Sequence, residues 1–295
     1  MADRKIDGLG VALVTPFKED LTIDYDSLGK LIEHVISGGC DYIVALGTTA
    51  ETPTLTHQEK IEVSDFIIKS VKRRIPVVIG IGGNSTISVA DEIRNWDLSG
   101  FDAILSVTPF YNKPSQKGLY LHFKTICDAS PIPIILYNVP GRTGINLSAH
   151  TTLELAAYNE KIIGIKEASG KFDQSLEIIE KSPESFSLIS GNDSETFRLM
   201  EAGANGVVSV LANALPKEMK RLVTLCKENK FQEAEILQES LRSLTGRLFE
   251  DGSPSGVKAL LAHMGLVENI LRLPLVPVNK QTEEAIIKEY GDLLK

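Results

Sequence analysis

Histidine and cysteine are scarce in this chain and nowhere clustered: five histidines and three cysteines are scattered through 295 residues. Without a His-Glu-x-x-His pair, a Cys-x-x-Cys pair or an aspartate-rich loop, no structural or catalytic metal is expected. Cys40, Cys127 and Cys226 are odd in number and far apart. They argue against a disulfide framework and fit a reducing, cytoplasmic setting. No apolar run reaches membrane-spanning length, and Met1-Ala2-Asp3-Arg4-Lys5 lacks the look of a signal peptide, so neither insertion nor export is expected. Basic residues gather only at Lys69, Lys72, Arg73 and Arg74, which read as a solvated helix end. With a net charge of -8, no nucleic-acid partner is expected. A dinucleotide fingerprint is missing too. The turn Thr15-Pro16-Phe17 carries no glycine signature, and Gly80-Ile81-Gly82-Gly83-Asn84-Ser85 lacks the third glycine and the acidic residue that would follow. Close helix–strand packing is the simpler role for those glycines.

What is present is 43% hydrophobic and rhythmic. Short β-rich runs at Gly10–Thr15, Tyr42–Gly47, Val77–Gly82, Ala103–Thr108, Pro133–Asn138, Ile162–Glu167, Ser187–Gly191 and Gly206–Leu211 alternate with amphipathic, helix-length segments. Helix starts are legible at Asp26-Ser27, at the capping box Thr56-His57-Gln58-Glu59 and at Ser85-Thr86. Further helices are expected from Gly118 to Cys127 and from Ser148 to Tyr158. This βα alternation, repeated eight times, predicts a (β/α)8 TIM barrel over residues 1–230. An open doubly wound sheet would normally show the missing fingerprint. From Phe231 onward the sequence is helical without strands, so residues 231–295 are expected to form a C-terminal helical appendage packed on the barrel. Pro274, Pro277 and Val278 mark an extended connector within it.

Barrel sites lie at the C-terminal ends of the strands, and reactive residues concentrate there. Lys166 stands in the apolar run Ile162-Ile163-Gly164-Ile165-Lys166-Glu167. Taken alone, it reads either as a structural cation paired with Glu167 or snorkelling to water, or as a desolvated amine nucleophile. The turn Gly47-Thr48-Thr49-Ala50-Glu51 offers hydroxyls and backbone N–H groups to an anion, or merely caps itself. Tyr111 lies in a stiff loop between Pro109 and Pro114. Tyr137 and Arg142 flank a rigid Pro-Gly turn, where tyrosine can pass protons and arginine can grip a carboxylate with two hydrogen bonds. The seventh strand ends at Gly191, and the eighth carries Val207.

Gly47–Glu51, Thr108–Pro114, Leu136–Gly144 and Gly164–Ser169 together resemble the 4-hydroxy-tetrahydrodipicolinate synthase (dihydrodipicolinate synthase) family of the pyruvate-dependent class I aldolases. N-acetylneuraminate lyases share the lysine and the tyrosine, but usually lack the Arg142 turn. The resemblance implies that Lys166 forms a Schiff base with pyruvate while Tyr137 shuttles protons. It further implies that Thr49 links Tyr137 to a Tyr111 supplied by a neighbouring subunit of a homotetramer. Thr48 would hold the pyruvate carboxylate, Arg142 the carboxylate of L-aspartate 4-semialdehyde, and Gly191 and Val207 would line the pyruvate end through their backbones. No dissociable cofactor is implied. Two alternatives remain: a lyase for a sialic or sugar acid, and a barrel that only senses a keto acid. Ala50 replaces a common glycine, and Gly252-Ser253-Pro254 a more usual Pro-Asn-Pro. Lys60, Ser88 and Phe110 stand where lysine-inhibited members carry histidine, glutamate and tyrosine, which implies weak or absent lysine feedback although His57 and Asn84 are kept.

Overall fold

The computed structural model describes residues 6–295, so the expectation drawn from Met1–Lys5 lies outside the described residues. In chain order the elements are β1 (Gly8–Ala12), α1 (Tyr25–Ser37), β2 (Tyr42–Ala45), α2 (His57–Val71), β3 (Val77–Gly80), α3 (Thr86–Asn95) and β4 (Ala103–Val107). Then come α4 (Gln116–Ala129), β5 (Ile134–Asn138), the one-turn α5 (Pro140–Thr143), α6 (Ala149–Tyr158), β6 (Ile162–Glu167), α7 (Phe172–Lys181) and β7 (Ser187–Ser190). The chain ends with α8 (Thr196–Glu201), β8 (Gly206–Ser209), α9 (Pro216–Lys227), α10 (Phe231–Glu250), α11 (Ser255–His263) and α12 (Lys280–Leu293). All eight strands are parallel and close in sequence order, β8 pairing back onto β1 through Gly8↔Gly206 and Val11↔Ser209. The fold is the TIM barrel with a helical C-terminal segment. None of the described helices is long and apolar enough to cross a membrane.

Alternation along the strands divides the apolar residues into two layers. Leu9, Val11, Ile43, Ile79, Leu136 and Ile165 pack outward against the helices. Tyr42, Val44, Val78, Leu105, Ile135, Tyr137, Ile189 and Val208 fill the interior. Gly10 makes that interior possible, because a Cβ there would lie 2.3 Å from the Tyr42 ring that crosses the barrel floor.

Several boundaries differ from expectation, each for a local reason. The first strand runs Gly8–Ala12 and not Gly10–Thr15, because beyond Ala12 the backbone bonds to a side chain. Asn213 donates to the Ala12 carbonyl at 2.8 Å and accepts from Val14 N–H at 3.1 Å. Helix α1 is capped by Asp24, which accepts from Ser27 N–H, two residues ahead of the expected start. The capping box at Thr56 and Glu59 forms as expected. Helices α7 and α8 had no legible start, and neither has a side-chain cap. The glycines after β3 are also reassigned. A Cβ on Gly80 would meet the Leu46 carbonyl at 2.2 Å and one on Gly82 would meet Val107 at 2.9 Å, so both admit neighbouring strand ends, and only Gly83 faces a helix residue, Val89.

Candidate active site

A cavity of about 440 Å³ opens at the C-terminal ends of β2 to β5, lined among others by Thr48, Val107, Phe110, Tyr137 and Arg142. Lys166 lies behind Tyr137. In the β5–β6 register the two residues face each other, and the amine sits 4.3 Å from the centre of the tyrosine ring. Lys166 is 6% exposed and has no ion-pair partner among the described residues. Gly191 closes this end, since a Cβ there would lie 3.1 Å from Lys166 Cε. Val207 directs its side chain into the outer layer, so only its backbone is available to the interior.

Glu167 does not pair with Lys166, because consecutive strand residues point to opposite faces. Its carboxylate lies buried between sheet and helices, accepting from Asn138 Nδ2 at 3.0 and 3.1 Å, Ser169 N–H at 2.7 Å and Gln174 Nε2 at 3.0 Å. Burial pushes its pKa up while these donors pull it down. The structural reading of Lys166 as half of a Lys166–Glu167 pair is therefore excluded.

The turn after β2 is a 3₁₀ turn over Thr48–Ala50. Thr49 is buried, and the Ala50 carbonyl accepts from Thr15 Oγ1 at 2.8 Å. The left-handed φ of 55° falls on Glu51, which is why alanine at position 50 is tolerated. Arg142 sits on α5, whose Thr143 hydroxyl donates to the Ile145 carbonyl at 3.0 Å and whose C-cap is Gly144 at a φ of 72°. Tyr111 is 89% exposed, also in the left-handed region, and lies apart from the Lys166 cluster. Within the chain, no described hydrogen bond joins Thr49, Tyr137 and Tyr111. Lys60 and Phe110 line the same cavity.

Sequence reasoning missed three charged residues that brace this end of the barrel. Lys258 of α11 is fully buried and donates to Glu51 Oε1 at 2.5 Å and to the Ile270 carbonyl at 2.7 Å. Burial pulls its amine down to about 8, against the opposing pull of Glu51. The available signal was a lysine inside Val257-Lys258-Ala259-Leu260-Leu261, where a cation requires a partner. Arg272 grips Glu59 with two bonds of 2.6 and 2.9 Å. Asp193, fully buried beyond β7, accepts from Val210 and Leu211 N–H at 3.0 Å and fixes the exit of β8.

The Arg272 contact, with help from the Thr56 N–H, holds the Glu59 carboxyl down at about 2 from an ordinary 4.5. A lowered folded-state pKa stabilises above the ordinary value and is lost as pH falls through the folded one. Glu59→Gln is expected to cost about 1–3 kcal/mol at neutral pH. The gap to the unsubstituted protein should narrow below pH 4.5 and close near 2. Urea unfolding between pH 7 and 3 checks this, and a pH-independent gap would refute it.

Residues 5–290 match the model of the Dihydrodipicolinate synthetase family. The 4-hydroxy-tetrahydrodipicolinate synthase of Parabacteroides distasonis is 50% identical over 286 residues, 97% of this chain and 96% of the relative. Among solved structures, the chloride-inhibited dihydrodipicolinate synthase of Acinetobacter baumannii complexed with pyruvate superposes with a TM-score of 0.95 at 40% identity, covering 98% of this chain and 99% of that one. A monomeric dihydrodipicolinate synthase variant superposes with a TM-score of 0.94 at 37% identity, covering 97% and 96%.

Proposed function

This chain belongs to the dihydrodipicolinate synthetase family, and from that membership we infer that it condenses pyruvate with L-aspartate 4-semialdehyde to give 4-hydroxy-tetrahydrodipicolinate. It is a lyase of the class I aldolase type in lysine and diaminopimelate biosynthesis. The observation that carries the mechanism is Lys166, a lysine inside the barrel that makes no ion pair among the described residues and whose amine lies over the Tyr137 ring.

In this reading the Lys166 amine adds to the ketone of pyruvate and the carbinolamine loses water to an iminium ion. Tyr137 hands protons in and out of that step. The iminium withdraws electrons, so the methyl group loses a proton to give an enamine, whose carbon attacks the aldehyde of the second substrate. The amine of that substrate then displaces Lys166 from the imine carbon, closing the ring and freeing the enzyme. Thr48 and its backbone hold the pyruvate carboxylate, with the backbones of Gly191 and Val207 lining the same end. Arg142, exposed on the cavity wall, takes the carboxylate of the aldehyde.

Thr49 and Tyr111 complete a proton path only if a second copy brings its Tyr111 to this site. The exposure of Tyr111 at 89% supports that role, and a homotetramer of tight dimers would supply the copy. The barrel of residues 1–230 carries the reacting groups, with residues 231–295 packed on it as a helical region.

Aspartate semialdehyde, N-acetylmannosamine and small sugar aldehydes compared as partners for pyruvate test the reading. Turnover is expected with aspartate semialdehyde alone. Preference for N-acetylmannosamine would transfer the chain to the sugar-acid lyases, and binding without turnover would make it a sensor. Lysine added to the same assay is expected to leave the rate unchanged below the millimolar range. Inhibition there would overturn the inference from Lys60, Ser88 and Phe110.

A further inference from the structure

Glu51 closes the turn that presents Thr48 and Thr49. Its N–H donates to the Thr48 carbonyl at 3.2 Å, and its carbonyl accepts from Thr54 Oγ1 at 2.9 Å. A φ of 55° is costly for a residue with a side chain, so something outside the turn must hold it there. Both carboxylate oxygens are held by residues more than 200 positions away: Oε1 by Lys258 Nζ at 2.5 Å, Oε2 by Arg272 N–H at 3.0 Å. Lys258 Nζ also sits 4.3 Å from the centre of the Phe17 ring, on the loop after β1.

A buried ion pair is an inefficient way to gain stability, since well-packed apolar residues of similar volume often do as well or better. What it supplies is direction. Charge-assisted bonds onto both oxygens leave the carboxylate one orientation, and the backbone of Glu51 follows. We propose that Lys258 and Glu51 are positioning residues for pyruvate binding: the buried pair uses α11 to hold the Thr48–Thr49 turn in its carboxylate-accepting shape. The C-terminal helical region thereby becomes part of the site and not only a packing layer. This rests on the reading that the turn holds the pyruvate carboxylate.

The test compares Glu51→Gln, Lys258→Met and the double variant E51Q/K258M, which leaves no buried charge uncompensated. For each, the pyruvate concentration giving half-maximal borohydride-trapped adduct on Lys166 is measured by mass, together with the KM for each substrate and the thermal unfolding midpoint. The concentration for half-maximal trapping is expected to rise about tenfold or more in all three, with the aldehyde KM little changed. The double variant should recover much of the thermal stability lost by the single ones without recovering pyruvate affinity. Trapping by the double variant at the unsubstituted protein's pyruvate concentration would overturn the proposal and leave the pair a structural role. If the unsubstituted protein forms no adduct at all, the functional reading fails first, and the inference with it.

Discussion

Replacing Lys166 by methionine is expected to abolish the pyruvate adduct and lower kcat by about 10⁴-fold or more, because the amine that forms the imine is removed. Methionine fills a similar volume, so the barrel should survive. Lys166 is 6% exposed and makes no ion pair among the described residues, the buried Asp193 feeling its charge only through space, so a neutral side chain there should leave the thermal midpoint equal or higher. The signature is a variant at least as stable as the unsubstituted protein, yet inert. Borohydride reduction with pyruvate followed by peptide mass analysis reads it directly. An adduct that still forms in the variant, on whichever residue, would remove Lys166 from the mechanism.

Arg142→Ala should divide the reaction in two. Arg142 lines the cavity and Lys166 does not, so pyruvate should still be trapped at an unchanged concentration. Removing the partner of a charged, hydrogen-bonded carboxylate costs about 2–5 kcal/mol, which predicts a fall of roughly 30- to 4,000-fold in kcat/KM for aspartate semialdehyde. Single-turnover measurements with preformed enamine separate the two halves. Equal losses in trapping and condensation would show that Arg142 serves the fold of the Pro-Gly turn and not the second substrate.

How far each part was legible follows from the range of the forces involved. The strands and the longer helices could be read because amphipathic period and caps are local: Thr56 and Glu59 announce their capping box within four residues. Helices α7 and α8 could be expected only from the βα rhythm, since no capping side chain marks their starts. Strand ends were overrun where the ladder yields to a side chain, as at Asn213, which lies about 200 residues from Ala12 and Val14. The motif residues Thr48, Tyr137, Arg142 and Lys166 stood out as reactive types at strand ends, which a repeating βα pattern brings to one rim.

What the sequence determined by itself was the architecture, the position of an unusual lysine at the end of β6, and the motifs whose resemblance pointed to the family. Which way that lysine faces was decided only when the barrel closed. Alternation sends Lys166 inward toward Tyr137 and Glu167 outward to Asn138 and Gln174, which separates two neighbours that might have paired. Tertiary structure alone also joins Glu51 to Lys258 across 207 residues. No local pattern can encode such a contact, because burial of both charges requires the barrel and the C-terminal helices to have met.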